Sequence, residues 1–186
     1  MGSEKMLKGK RIQLREYKED YISQAKEFIN DPEVCLNMNP QVPFPITIEE
    51  EKEWYENQRK DDNCYNFAII TLDDEKYIGG CGINDFDWKN SVVTVGIFIG
   101  DEDYREKSYG TEAMSLLLNF IFNQININKV MLEVFSFNER AIKSYKKNGF
   151  VEEGRLRQNV FRNGEYHDEV IMGLLRDEYY ELKQTK

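Results

Sequence analysis

Cysteine, proline and histidine are all scarce in this chain. Its 186 residues hold three cysteines, four prolines and one histidine. Cys35, Cys64 and Cys81 are an odd number without metal-ligand spacing, which fits a reducing compartment and predicts no metal site. His167 is a lone histidine on an expected strand, which speaks for a structural role rather than catalysis. No apolar run approaches the roughly 20 residues of a membrane helix, so no membrane partner is expected. The opening MGSEKMLKGKR lacks the apolar core of a secretory signal. Its sixth residue, Met6, also departs from the myristoylation pattern, and a cytoplasmic location is expected. Positive charge is in deficit: 25 Lys and Arg stand against 34 Asp and Glu, a net charge of −9. A chain of that sign repels nucleic acid. It attracts cationic partners such as an amine, a polyamine or a basic polypeptide, although acidity also serves solubility alone.

What is present is a core. Apolar residues make up 40% and aromatics 13%, enough for one domain over residues 1–186 with a flexible N-terminus at 1–8. KRIQLREY alternates as a first strand, and a helix is expected around Tyr21 to Phe28. Pro40, Pro43 and Pro45 break any helix in the stretch that follows. Thr47 and Glu50 form a capping box ahead of the acidic helix IEEEKEWYENQRK. Two strands flank a turn at Asp73 and Asp74, and SVVTVGIFIG reads as a buried central strand. Ala113, Leu116, Leu117, Phe120 and Ile121 set a helical stripe, followed by the strand KVMLEVF and the helix NERAIKSYKKNGF. Asn163-Gly164 marks a final hairpin. The order defines an α/β fold on a mixed sheet, with neither repeat nor low-complexity linker.

Two stretches carry chemistry. DYREKSYGTEAM joins the central strand to the amphipathic helix, where unpaired backbone N–H groups and the helix dipole favour an anion. Arg105 and Lys107 add positive charge, Ser108 is small, and Gly110 leaves the backbone open. The competing reading is an ordinary turn with Ser108 as N-cap. In the second stretch, Asn138 caps a helix that ends at Gly149, and Tyr145 shares a face with Ala141 and Ile142. Tyr145 is either a core tyrosine or a hydroxyl delivered to a site beside the sheet.

Taken in order, NDPEV, GIFIGDEDYREKSYGTEA, NERAIKSYKKNGF, EEGRLRQ and NGEYHDEVIMGLL resemble the GNAT acyltransferase superfamily over essentially the whole chain. The nearest branch is that of the ribosomal-protein N-terminal and spermidine acetyltransferases. The resemblance implies a mostly antiparallel sheet of about seven strands with splayed central strands. It implies an N-acetyltransferase that takes acetyl-CoA as donor and a small amine, a polyamine or a protein N-terminus as acceptor, by direct transfer in a ternary complex. A homodimer is common in the branch. The loop pattern falls on Arg105, Glu106, Lys107, Ser108, Tyr109 and Gly110, followed by Thr111, whose backbone amides would bind the donor's pyrophosphate. Ile97, Phe98 and Ile99 would hold pantetheine, Asn138 would contact the same arm, and Tyr145 would protonate the leaving thiolate. Glu106 and Ser108 stand where glycine is usual, which predicts weaker donor binding; Ser108 is tolerated best if its φ stays negative.

The resemblance leaves the general base open. Thr94 aligns with a family glutamate and cannot take a proton from an ammonium; a water relay, Asp85 or Asp87 in the preceding loop, or Glu133 are the alternatives. Without the usual base, a weakly basic α-amine gains ground as acceptor. The acceptor side is expected over the first two helices and the last hairpin. There Glu49, Glu50, Glu51, Glu53 and Trp54 either hold a cation or form a solvated acidic face. The reading from another class is a GNAT-fold sensor that binds acetyl-CoA without turnover.

Overall fold

Val92–Ile99 is the strand around which the rest is arranged, because its valines and isoleucines favour a strand packed on both faces. The structure is a computed structural model that describes residues 7–38, 40–58, 60 and 65–184. Seven strands form one sheet: β1 (Ile12–Glu16), β2 (Tyr65–Thr71), β3 (Tyr77–Asp87), β4 (Val92–Ile99), β5 (Lys129–Phe135), β6 (Val151–Arg162) and β7 (Glu165–Leu175). Their spatial order is β1-β2-β3-β4-β5-β7-β6, so β4 lies in the middle. All pairings are antiparallel except β4 with β5. The expected mixed, mostly antiparallel sheet is therefore the one observed.

The helices are α1 (Ile22–Asn30), α2 (Pro32–Met38), α3 (Ile48–Gln58), α4 (Tyr109–Gln124), α5 (Glu139–Lys147) and α6 (Arg176–Gln184). On one side of the sheet α4 buries Ala113, Met114, Leu117, Leu118, Ile121 and Phe122 in the main core. On the other, Ala25 of α1 packs with Ala68, Ile70 and Tyr77. The Thr47–Glu50 capping box forms reciprocally: the Thr47 N–H donates to Glu50 (2.7 Å) and the Glu50 N–H donates to Thr47 Oγ1 (3.2 Å). Asn163 and Gly164 both take positive φ, 50° and 87°, as a two-residue hairpin turn requires.

Two helices differ from the sequence reading. α2 forms just ahead of the prolines, with Pro32 in its first turn, where a missing N–H costs nothing. Asp31 Oδ1 accepts from the N–H of Glu33 (2.8 Å) and so starts it. α6 follows directly from β7 and buries Tyr179 against Phe122. Residues 1–6 of the expected flexible terminus, and Cys64, lie outside the described residues. Leu7 and Lys8 are tied in, the Leu7 carbonyl accepting from the Leu14 N–H (2.8 Å) and Lys8 bridging to Gln13.

Candidate active site

The parallel β4–β5 pairing covers only Val92 to Thr94 against Lys129 to Met131. From Val95 onward β4 pairs with β3 alone, so its other edge faces the gap that opens towards β5. A cavity of about 440 Å³ occupies that gap. Ile97, Phe98 and Ile99 form its floor, and Tyr109, Gly110 and Thr111 at the start of α4 close one end. α5 contributes Ala141, Ser144 and Tyr145 along one wall, and α2 contributes Glu33, Val34, Asn37 and Met38 opposite. Of the site residues read from the sequence, Ile97, Phe98, Ile99, Arg105, Glu106, Ser108, Tyr109, Gly110, Thr111, Asn138 and Tyr145 all line this cavity. Lys107 does not.

The loop before α4 is strained where glycine would be relaxed. Ser108 has φ 66° and Glu106 φ 59°, both left-handed, so the negative φ expected of Ser108 is not what forms. Each such residue costs on the order of 1 kcal/mol. Ser108 also does not act as the ordinary N-cap, since its side chain caps no N–H of α4. The loop's own hydroxyl therefore satisfies none of the first-turn amides of this 16-residue helix. A Cβ at Gly110 would meet nothing nearer than Ile99 Cγ1 at 3.6 Å, so the glycine keeps space above the β4 floor open.

Two arginines brace this loop through carbonyls and neighbouring acids. Arg105 donates from Nε to the Ile99 carbonyl (3.2 Å) and from Nη2 to that of Gly100 (2.5 Å). It also pairs with Asp31 (3.2 Å) and Glu33 (2.9 Å), and its side chain is only 9% exposed. Arg11 donates to the Lys107 carbonyl (2.9 Å) and pairs with Glu112 (2.9 Å). The positive charge expected from Arg105 and Lys107 therefore comes from elsewhere. Arg140, Lys143 and Lys147 of α5 line the cavity at i, i+3 and i+7. That spacing is present in the sequence, and the packing of α5 beside the gap is what turns it towards the cavity.

Asn138 Oδ1 accepts from the Ala141 N–H (3.1 Å), capping α5, so its amide NH₂ is what it has left for a ligand. Tyr145 packs edge-on against Phe150, and burial pushes its phenol up to about 12. Glu133 on β5 also lines the cavity, and its carboxyl is raised by burial and then by the nearby Glu169 charge. The other side chains weighed as base do not line it. Asp85 and Asp87 belong to β3 itself rather than to a loop, and Asp87 accepts from Asn90 in the following turn. Thr94 sits opposite Asp85 and Met131, outside the cavity lining.

The acidic run on α3 divides. Glu50 belongs to the capping box, whereas Glu51 is 3% exposed, and burial alone pushes its carboxyl up to about 7. Its carboxylate has no hydrogen-bond or ion-pair partner among the described residues. Trp54 packs edge-on against Tyr17. None of Glu49, Glu50, Glu51, Glu53 and Trp54 lines the cavity between β4 and β5. His167 stacks edge-on with Phe137, consistent with a packing role. Among the described residues no cluster of His, Cys, Asp and Glu could hold a metal ion, and no helix is long and apolar enough to cross a membrane.

A splayed pair of central parallel strands, with a helix starting at the mouth of the gap, defines the class of acyl-transfer folds that the sequence motifs resemble. The match is borne out by comparison. The model of the acetyltransferase (GNAT) domain family matches residues 11–151. The SPbeta prophage-derived N-acetyltransferase YokL of Bacillus subtilis is 33% identical over 150 residues, 80% of this chain and 82% of the relative. The spermidine N(1)-acetyltransferase of Vibrio cholerae is 27% identical over 133 residues, 72% of this chain and 76% of the relative. Among solved structures, the Vibrio cholerae spermidine N-acetyltransferase in complex with CoA and spermine superposes with a TM-score of 0.83. It is 22% identical, over 91% of this chain and 98% of that one. The chain belongs to the GNAT acetyltransferase family.

Proposed function

We propose that the chain transfers an acetyl group from acetyl-CoA to a cationic primary amine of the polyamine type, directly within a ternary complex. The observation that carries this reading is the unpaired edge of β4 from Val95 onward, on which the α4 amides, Asn138 and Tyr145 converge. The Vibrio cholerae enzyme of the same fold holds CoA and spermine, which supports both the donor and the acceptor class. Acetyl-CoA brings a thioester already activated for acyl transfer. The protein's part is to hold and orient. The α4 amides and the cationic face of α5 meet the phosphates, and the free β4 edge offers backbone groups to pantetheine and to the carbonyl that develops charge. The Tyr145 hydroxyl delivers a proton to the departing sulfur.

Glu133 takes the role of base. It lines the cavity, and a carboxyl raised by burial and by a neighbouring acid is a stronger proton acceptor than an ordinary one. With a base in the cavity, the argument from Thr94 for an α-amine loses its force. A polyamine-like acceptor also suits a chain of net charge −9. The test is release of CoA thiol from acetyl-CoA with spermidine, compared with a basic peptide bearing a free α-amine. Faster turnover on spermidine is expected. Turnover on the peptide alone would move the acceptor to protein N-termini, and turnover on neither would contradict the reading.

A further inference from the structure

The mouth of the cavity is crossed by a chain of charges that links three elements. Glu33 of α2 uses one carboxylate oxygen on Arg140 of α5 (2.7 Å) and the other on Arg105 of the loop (2.9 Å). Arg140 reaches a second acid, Glu106, at the longer distance of 3.4 Å. Glu33, Glu106 and Arg140 all line the cavity and are all partly exposed, so the pairs are exchangeable rather than locked in a core. Arg105 is different: it is buried and remains anchored by Asp31 and two carbonyls whatever Glu33 does.

We infer that Arg140 is a phosphate-binding residue of the donor site and that Glu33 is a built-in competitor for it. The inference rests on the reading of this cavity as the donor site. Both acids are met by Nη1 of Arg140, so a phosphate that takes this nitrogen, alone or in a bidentate fork with Nη2, is bound against the Glu33 pair. The exchange is cheap on the acid's side. When Arg140 turns to phosphate, Glu33 keeps Arg105 and is not left as an unpaired charge. The pair also links α2 to α5 across the cavity mouth; phosphate at Arg140 breaks that link while Arg105 still holds α2 through Asp31 and Glu33.

The experiment is calorimetric titration of the native chain, Glu33→Gln, Arg140→Gln and the double variant with acetyl-CoA and with S-acetylpantetheine, which lacks phosphates. Glutamine at position 33 is nearly isosteric and still accepts from Arg105, so the loop brace survives. Glu33→Gln is expected to bind acetyl-CoA about threefold to fivefold tighter than native, the scale of one partly exposed ion pair. Arg140→Gln is expected to bind it about tenfold weaker, and to cancel the gain when the two are combined. S-acetylpantetheine should bind all four proteins alike. Unchanged or weaker acetyl-CoA binding by Glu33→Gln, or an equal shift with the phosphate-free donor, overturns the inference. A native protein that binds neither donor overturns the donor-site reading itself, a different and separately visible result.

Discussion

Tyr145→Phe is expected to lower kcat for acetyl transfer by about 10²- to 10⁴-fold, with donor Kd and folding stability nearly unchanged. The substitution removes one oxygen and keeps the ring that packs on Phe150. No hydrogen bond to another protein group would be lost, because none is made to the Tyr145 hydroxyl among the described residues. The proton itself is secure: with the phenol pushed up to about 12, the tyrosine stays protonated throughout the working pH range. Delivery of that proton is harder than an exposed tyrosine would suggest. A free phenol near 10 lies about 1.5 units above a thiol near 8.5, and burial widens this to about 3.5 units, roughly 5 kcal/mol. The same apolar wall acts on a thiolate formed beside it, raising its proton affinity and returning part of that difference. Steady-state rates with saturating donor and acceptor test the claim. A kcat within about threefold of native would assign protonation of the sulfur to water.

Glu51→Gln is expected to stabilise the protein in a strongly pH-dependent way. The carboxyl titrates near 4.5 when exposed and at about 7 in the fold, with burial as the cause. Between those values the folded state holds a proton that the unfolded state has released, so stability falls as pH rises from 4.5 to 7. Above 7 the full cost applies, on the order of 3 kcal/mol for a shift of this size. Glutamine keeps the shape and never ionises. Urea melts should therefore show the variant gaining about 3 kcal/mol on the native protein between pH 4.5 and pH 8. A difference independent of pH would mean that the Glu51 carboxylate is solvated or paired.

Periodicity made most of the fold legible. The β4 valines and isoleucines, the α4 stripe and the Asn163-Gly164 turn all express local rules that tertiary packing obeyed. α2 is not legible in the sequence because three prolines follow closely, and propensity does not show that a helix of seven residues is held by Asp31 at its start and packing at Val34. At the site, motif order located the loop and Tyr145, yet the direction of each charge was not in the sequence. Arg105 and Lys107 look alike on paper, but Arg105 is buried under carbonyls and acids, whereas Lys107 is engaged through its carbonyl, by Arg11. Glu133 could be distinguished from Asp85 and Asp87 only once strand register had placed it beside the gap. Glu51 looked like one acid among several until the α3 face packed it away from solvent.

The central claim is that the gap between β4 and β5 receives acetyl-CoA, and calorimetric titration of the native chain beside Gly110→Trp tests it most directly. A Cβ at Gly110 would already touch Ile99 (3.6 Å) and Ile97 (4.0 Å), so an indole there would crowd the end of the cavity. Saturable binding by the native protein that is lost in Gly110→Trp is the predicted result. Equal binding by both proteins would place the donor elsewhere, and no binding by the native protein would mean that the strained Glu106 and Ser108 loop does not accept it.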